Sequence, residues 1–123
     1  MTKLEQVIQQ FRNEIGAEFV STDVVGLDGL SIAGMSADPE IDSSAIAARF
    51  ALAIKMASNV SEKLGIGGFE ENLTTTDKYI SISRFLGDGS FFWVVTLNKE
   101  ATLGMVRLLM NEYAPQIWDA IPR

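Results

Sequence analysis

Residues 24–36 read Val-Val-Gly-Leu-Asp-Gly-Leu-Ser-Ile-Ala-Gly-Met-Ser, and Gly29 to Ser36 keep the glycine frame of a phosphate-binding loop. That motif needs a lysine to reach the terminal phosphates and a helix directly after the loop. Here the lysine position is Met35, and the chain runs on through Ala37-Asp38-Pro39 instead of entering a helix. A hairpin accounts for the same residues better. Asp28-Gly29 stands between the β-branched stretch Ala17 to Gly26 and Leu30 to Ala33, as in a type I′ turn whose two central residues both need positive φ. The stretch therefore predicts a pair of antiparallel strands and no bound nucleotide.

The flanks of this hairpin read as helices. Leu4, Val7, Ile8, Phe11 and Ile15 form one stripe at helical spacing from Thr2 or Lys3 to about Ile15, with Gly16 as the stop. Beyond Asp38-Pro39, Asp42, Ser43 or Ser44 can cap a long helix from Ser43 to Leu64 that ends at Gly65. Three strands follow, Gly68 to Thr76, Lys78 to Leu86 and Ser90 to Leu97, the last two joined by Gly87-Asp88-Gly89. Phe91 to Val95 is apolar on both faces, as suits a central strand covered from each side. Asn98 can cap a third helix with the stripe Leu103, Val106, Met110, Tyr113 and Ile117, and Pro115 should kink or restart it, leaving a short turn to Ile121. The order α-β-β-α-β-β-β-α with short hairpins predicts an α+β fold, an α/β/α sandwich around a five-stranded antiparallel sheet. No linker or repeat divides residues 1–123, so one domain is expected.

Composition narrows the chemistry. Sixteen acidic against ten basic residues give a net charge of −6, which repels a nucleic-acid backbone. The chain has no cysteine and no histidine, which excludes disulfides and thiolate sites and removes the usual hydrolase base and the commonest metal ligand. No signal-like or membrane-spanning run is present, so a cytoplasmic location without membrane insertion is expected. Asp38, Glu40 and Asp42 open like a calcium loop, but the sixth position is Ser43 in place of glycine and the twelfth is Arg49 in place of glutamate. Glu70 and Glu71 point to opposite faces of a strand and read as solvated edge charges. Ser31, Ser36, Ser81 and Ser83 have no histidine to activate them, and no S-x-x-K motif occurs. No catalytic residue, metal site or cofactor is expected.

The second helix carries the functional signal. Ile46, Phe50, Ala53, Ile54, Ala57, Val60 and Leu64 make one stripe that can face the sheet, and Lys55, Ser58 and Glu62 make a polar face. About 100° from the first stripe runs a second line, Ala45, Ala48, Leu52 and Met56, with Arg49 between the two. A helix with one core needs one stripe, so the second line predicts contact with another copy of the chain. The strand that follows, rich in β-formers, can pair with its own copy if it lies at the sheet edge.

With this order of elements, Val-Val-Gly-Leu-Asp-Gly-Leu-Ser-Ile-Ala-Gly on the first hairpin, the alanine-rich second helix and Ser90-Phe-Phe-Trp-Val-Val-Thr-Leu97, the chain resembles the Roadblock/LC7 family over nearly its full length, in its prokaryotic, MglB-like form. The resemblance implies a profilin-like sandwich and a non-catalytic homodimer that binds and regulates or scaffolds a small Ras-like GTPase. It places Ala45, Ala48, Leu52 and Met56, with Phe69, Glu71, Leu73 and Thr75 of the third strand, at the dimer interface. Arg49, Lys55 and Asn59, on exposed parts of the paired second helices, are the candidates to meet the GTPase. An arginine finger at Arg49 is a sharper alternative role, with ordinary surface pairing the commoner one. Two other readings stand beside this one: a small-ligand sensor with Phe85, Phe91, Phe92 and Trp93 around a pocket, and a light-chain-like structural subunit of a larger assembly.

Overall fold

The computed structural model describes Met1 to Arg123. Helix α1 spans Lys3–Ile15 and opens with a capping box, in which the Thr2 hydroxyl accepts from the Glu5 N–H at 3.1 Å and the Glu5 carboxylate accepts from the Thr2 N–H at 3.2 Å. A single 3₁₀ turn, Gly16–Glu18, leads into β1, Phe19–Gly26, and then β2, Ser31–Ser36. Helix α2 spans Ser43–Leu64, capped by the Asp42 carboxylate, which accepts from the Ser44 and Ala45 N–H groups, and closed by Gly65 in the left-handed region. Strands β3, Glu71–Thr75, β4, Tyr79–Leu86, and β5, Phe91–Asn98, precede α3, Leu103–Ala120.

The sheet order is β2-β1-β5-β4-β3, every neighbouring pair antiparallel. The expected α+β, profilin-like α/β/α arrangement is therefore the observed one. Strand β5, apolar on both faces, is central. Its even positions Phe92 and Val94 meet Val25, Ala47, Ala51 and Ile54 beneath α2. Its odd positions Trp93, Val95 and Leu97 meet α1 and α3, where Phe11 lies edge-on to Trp93 at 4.8 Å and to Tyr113 at 5.6 Å. The buried indole is not left unpaired: Trp93 Nε1 donates to Thr22 Oγ1 at 2.7 Å, and that hydroxyl donates to the Val94 carbonyl at 2.9 Å. No helix is long and apolar enough to cross a membrane.

Several local expectations change. The first hairpin is not a type I′ turn, because only Gly29 takes positive φ; Gly29 N–H donates to the Gly26 carbonyl, and the extra residue is absorbed by a register shift at Val24/Val25. Strand β1 starts at Phe19, not Ala17, and β3 at Glu71, not Gly68. Asn98 ends β5, and α3 begins only after Thr102, whose side chain makes no capping bond. Pro115 does not break α3; Pro115 and Asn111, whose carbonyl it leaves without a helical donor, are both exposed, where water can serve that group.

Candidate interaction surface

Helix α2 buries Ala47, Ala51 and Ile54 and half-buries Ile46, Phe50, Ala57, Ser58 and Ser61. This contact line is rotated from the expected one. Ala53, Val60 and Leu64, assigned by periodicity to the sheet, are exposed, while Ser58, assigned to the wet face, turns toward the sheet. The alanines at 47 and 51 explain the shift, since small side chains let the helix axis settle close over Phe92 and Val94, and the larger residues swing outward. The wheel angle carries the missed signal for Val60, which lies about 40° from Met56 but about 120° from Ile54.

The outward face is consequently larger than the sequence line. Ala48, Leu52, Met56, Val60 and Leu64 form an uninterrupted ridge at four-residue spacing, the last four 70%, 70%, 48% and 66% exposed. A ridge of this kind packs into the matching groove of a second helix. Ala45, Arg49, Lys55 and Asn59 are exposed on the same helix.

Beside α2 lies the free edge of β3. Thr76 N–H donates to the Tyr79 carbonyl, and the register Asn72↔Ser83 and Thr74↔Ser81 turns the backbone groups of the even residues toward β4. Those of Glu71, Leu73 and Thr75 therefore point away from the sheet with no strand beyond them. Phe69, expected within this strand, precedes it and turns inward, its ring edge-on to Phe85 at 5.5 Å. Glu71 is not a solvated edge charge. Its carboxylate accepts from Arg84 at 3.2 Å and from Arg107 of α3 at 2.7 Å, and the Arg107 bond holds it below the usual carboxylate range despite partial burial. Glu70 is exposed.

Two features escaped the sequence reading. One is the Glu71, Arg84 and Arg107 cluster, whose members lie too far apart in the chain for spacing to join them. The other is Asp23, a buried carboxylate on the α2 side of β1. It accepts from the Ser43 hydroxyl at 3.0 Å and from that of Ser31, while Gly34 leaves room for it. No group of three or more potential metal ligands is assembled. Of the aromatics assigned to a ligand pocket in the sensor reading, Phe92 and Trp93 are fully buried in the two cores.

No protein-family model matches the sequence, and no curated protein matches it either. Solved structures do match in shape. Myxococcus xanthus MglB superposes with a TM-score of 0.85 at 18% identity, covering 97% of this chain and 94% of that one. A Roadblock/LC7 domain from Streptomyces avermitilis gives 0.81 at 15% identity over 92% of each chain. Profilin II of Acanthamoeba castellanii gives 0.63 at 14% identity, covering 94% of this chain and 97% of that one. At such identities the likeness is one of architecture, and by it this chain has the Roadblock/LC7 fold in its MglB-like form.

Proposed function

We propose that the chain forms a homodimer through the outer ridge of α2 and the free edge of β3, and that the pair is a non-catalytic cytoplasmic platform that binds, and regulates or scaffolds, a small Ras-like GTPase. One observation carries the reading: an unbroken apolar ridge stands next to an unpaired strand edge. Burying what remains exposed of Leu52 and Met56, 70% of each, in both copies contributes roughly 4–8 kcal/mol. That is of the order of the association cost, about 4–15 kcal/mol, so Val60 and Leu64 are needed to tip the balance. Across the seam the outward groups of Glu71, Leu73 and Thr75 meet those of the second copy around Leu73, which joins two sheets into one. The GTPase part of the proposal rests on the family resemblance and the shared fold. Arg49, Lys55 and Asn59 are assigned to the GTPase contact.

Light scattering on a sizing column tests the first link: a dimer is expected at micromolar concentration, and a strict monomer overturns it. The second link is tested by capture from cell extract with and without a non-hydrolysable GTP analogue. A small GTPase retained in one nucleotide state is expected, and its absence from both captures counts against the proposal.

A further inference from the structure

The edge of the sheet opposite β3 is formed by β2, and it too is open. Ala37 N–H donates to the Val20 carbonyl at 2.8 Å, and the register Thr22↔Met35 and Val24↔Ala33 turns the backbone groups of the odd residues near the end of β2 toward β1. Those of Gly34 and Ser36 therefore point away from the sheet with no strand beyond them. Apart from its bulge, β2 has none of the usual protections of an edge, since Ser31 to Ser36 hold no charged residue and no proline. Leu30 and Ile32, at its hairpin end, are 67% and 43% exposed.

Behind this edge stands a carboxylate without a counter-ion. Asp23 of β1 is paired in register with Gly34, is 1% exposed and belongs to neither ion pair of the chain. Its Oδ2 occupies the space where a Gly34 side chain would begin. Only the backbone of Gly34, which is exposed, and the Ser31 and Ser43 hydroxyls separate it from the open side of the sheet. Two hydroxyls fill only part of what a carboxylate can accept. The surroundings share its sign: residues 13–48 hold seven acidic and no basic residues, while the rest of the chain holds nine acidic and ten basic. Asp28 stands beyond one end of β2, and Asp38, Glu40 and Asp42 beyond the other, all four exposed. A second copy laid along this edge would meet its own charge, whereas a basic chain would be attracted along its whole length.

We infer that the β2 edge receives one strand from a basic partner segment, with a lysine or arginine opposite Gly34 whose cation bonds the Asp23 carboxylate across the glycine, and with apolar residues against Leu30 and Ile32. The outward N–H and C=O groups of Gly34 and Ser36 supply the ladder. A residue opposite Gly34 on an antiparallel strand sets its Cβ about 5 Å from where that of Gly34 would be, a gap that the four-carbon stem of lysine bridges. Holding a buried carboxylate without a cation costs the free chain stability, and the incoming cation relieves that cost. Strands β2 and β3 lie at opposite edges of the sheet, about 19 Å apart, so the site does not depend on dimerisation.

The test uses the full chain and three pools of blocked heptapeptides built from Ser, Thr and Val, with Lys, Gln or Glu fixed at the central position. Binding is read from amide chemical shifts and from hydrogen exchange. The Lys pool is expected to bind at least tenfold more tightly than the Gln pool, with the Glu pool weakest, and to slow exchange of the Gly34 and Ser36 N–H groups at least tenfold at saturation. Asp23→Asn should abolish the preference for Lys over Gln. Glu112→Gln, which removes the same charge from the exposed side of α3, should leave that preference intact. Ser36→Pro takes away an outward N–H and no bond to β1, so it should abolish binding of all three pools while circular dichroism shows the chain folded. Equal binding of the Lys and Gln pools, a preference that survives Asp23→Asn, protection centred on β3 in place of β2, or no saturable response below millimolar concentration overturns the inference.

Discussion

Asp23 shows most directly how one residue ties sequence to packing. It is the only carboxylate among the buried residues, and neither ion pair of the chain includes it. Burial pushes its carboxyl above the usual carboxylate range; the Ser31 and Ser43 hydroxyls pull it back, and the nearby Asp42 charge adds to the rise. A group raised in this way binds its proton more tightly in the folded than in the unfolded chain. Its contribution to stability is present below the unfolded carboxylate pKa and is lost as pH rises through the raised folded value. Asp23→Asn keeps the shape and removes the charge. Denaturation midpoints measured between pH 3.5 and 7 should show the Asn variant gaining on the parent as pH rises; a difference independent of pH would refute the assignment. Gly34 belongs to the same cluster, since a methyl group there would collide with the Asp23 carboxylate and with Ser43 Oγ. Gly34→Ala should cost about 1–3 kcal/mol in chemical denaturation through overpacking. Nothing in the sequence marks either residue, because the burial of Asp23 is created by α2 closing over the sheet from twenty positions away.

Among the elements, α2 was legible in extent and half-legible in orientation. Its cap at Asp42, its stop at Gly65 and the exposure of Leu52 and Met56 all follow from local chemistry and spacing. The rotation that exposes Val60 and Leu64 does not, since periodicity finds apolar lines but cannot rank two that compete for one sheet. The hairpin between β4 and β5 gives a second case. Gly87 has φ of 53°, and a side chain there would run into the Trp118 ring of α3. Gly87→Ala therefore combines left-handed strain with a collision, and a loss of about 1–3 kcal/mol, read as a fall in melting temperature, is expected. Strand β3 offers a cleaner separation of fold from assembly. The Leu73 N–H faces away from β4, so Leu73→Pro removes no bond of the monomer's ladder while blocking a strand added at the edge. Circular dichroism should change little, and the proposed dimer should weaken; loss of the folded signal would place Leu73 in the ladder instead.

For the whole molecule, the proposed assembly makes stability depend on concentration. If the ridge of α2 is covered by a second copy, the melting temperature should rise with protein concentration by mass action. Met56→Glu should remove that dependence without unfolding the chain, since Met56 is 70% exposed in the single copy. A melting temperature constant over a hundredfold range of concentration would argue against the dimer. By itself the sequence determined the element order, the antiparallel pairing, the central place of Phe91 to Val95 and the absence of cysteine and histidine chemistry, because turn residues, caps and apolar period act within a few positions of themselves. Tertiary structure alone decided which side of α2 meets the sheet, that Glu71 is bound by two arginines, that Asp23 is buried and that β3 ends the sheet with three residues turned outward. Each of these depends on groups far apart in the chain, which are brought together only when the helices close on the sheet.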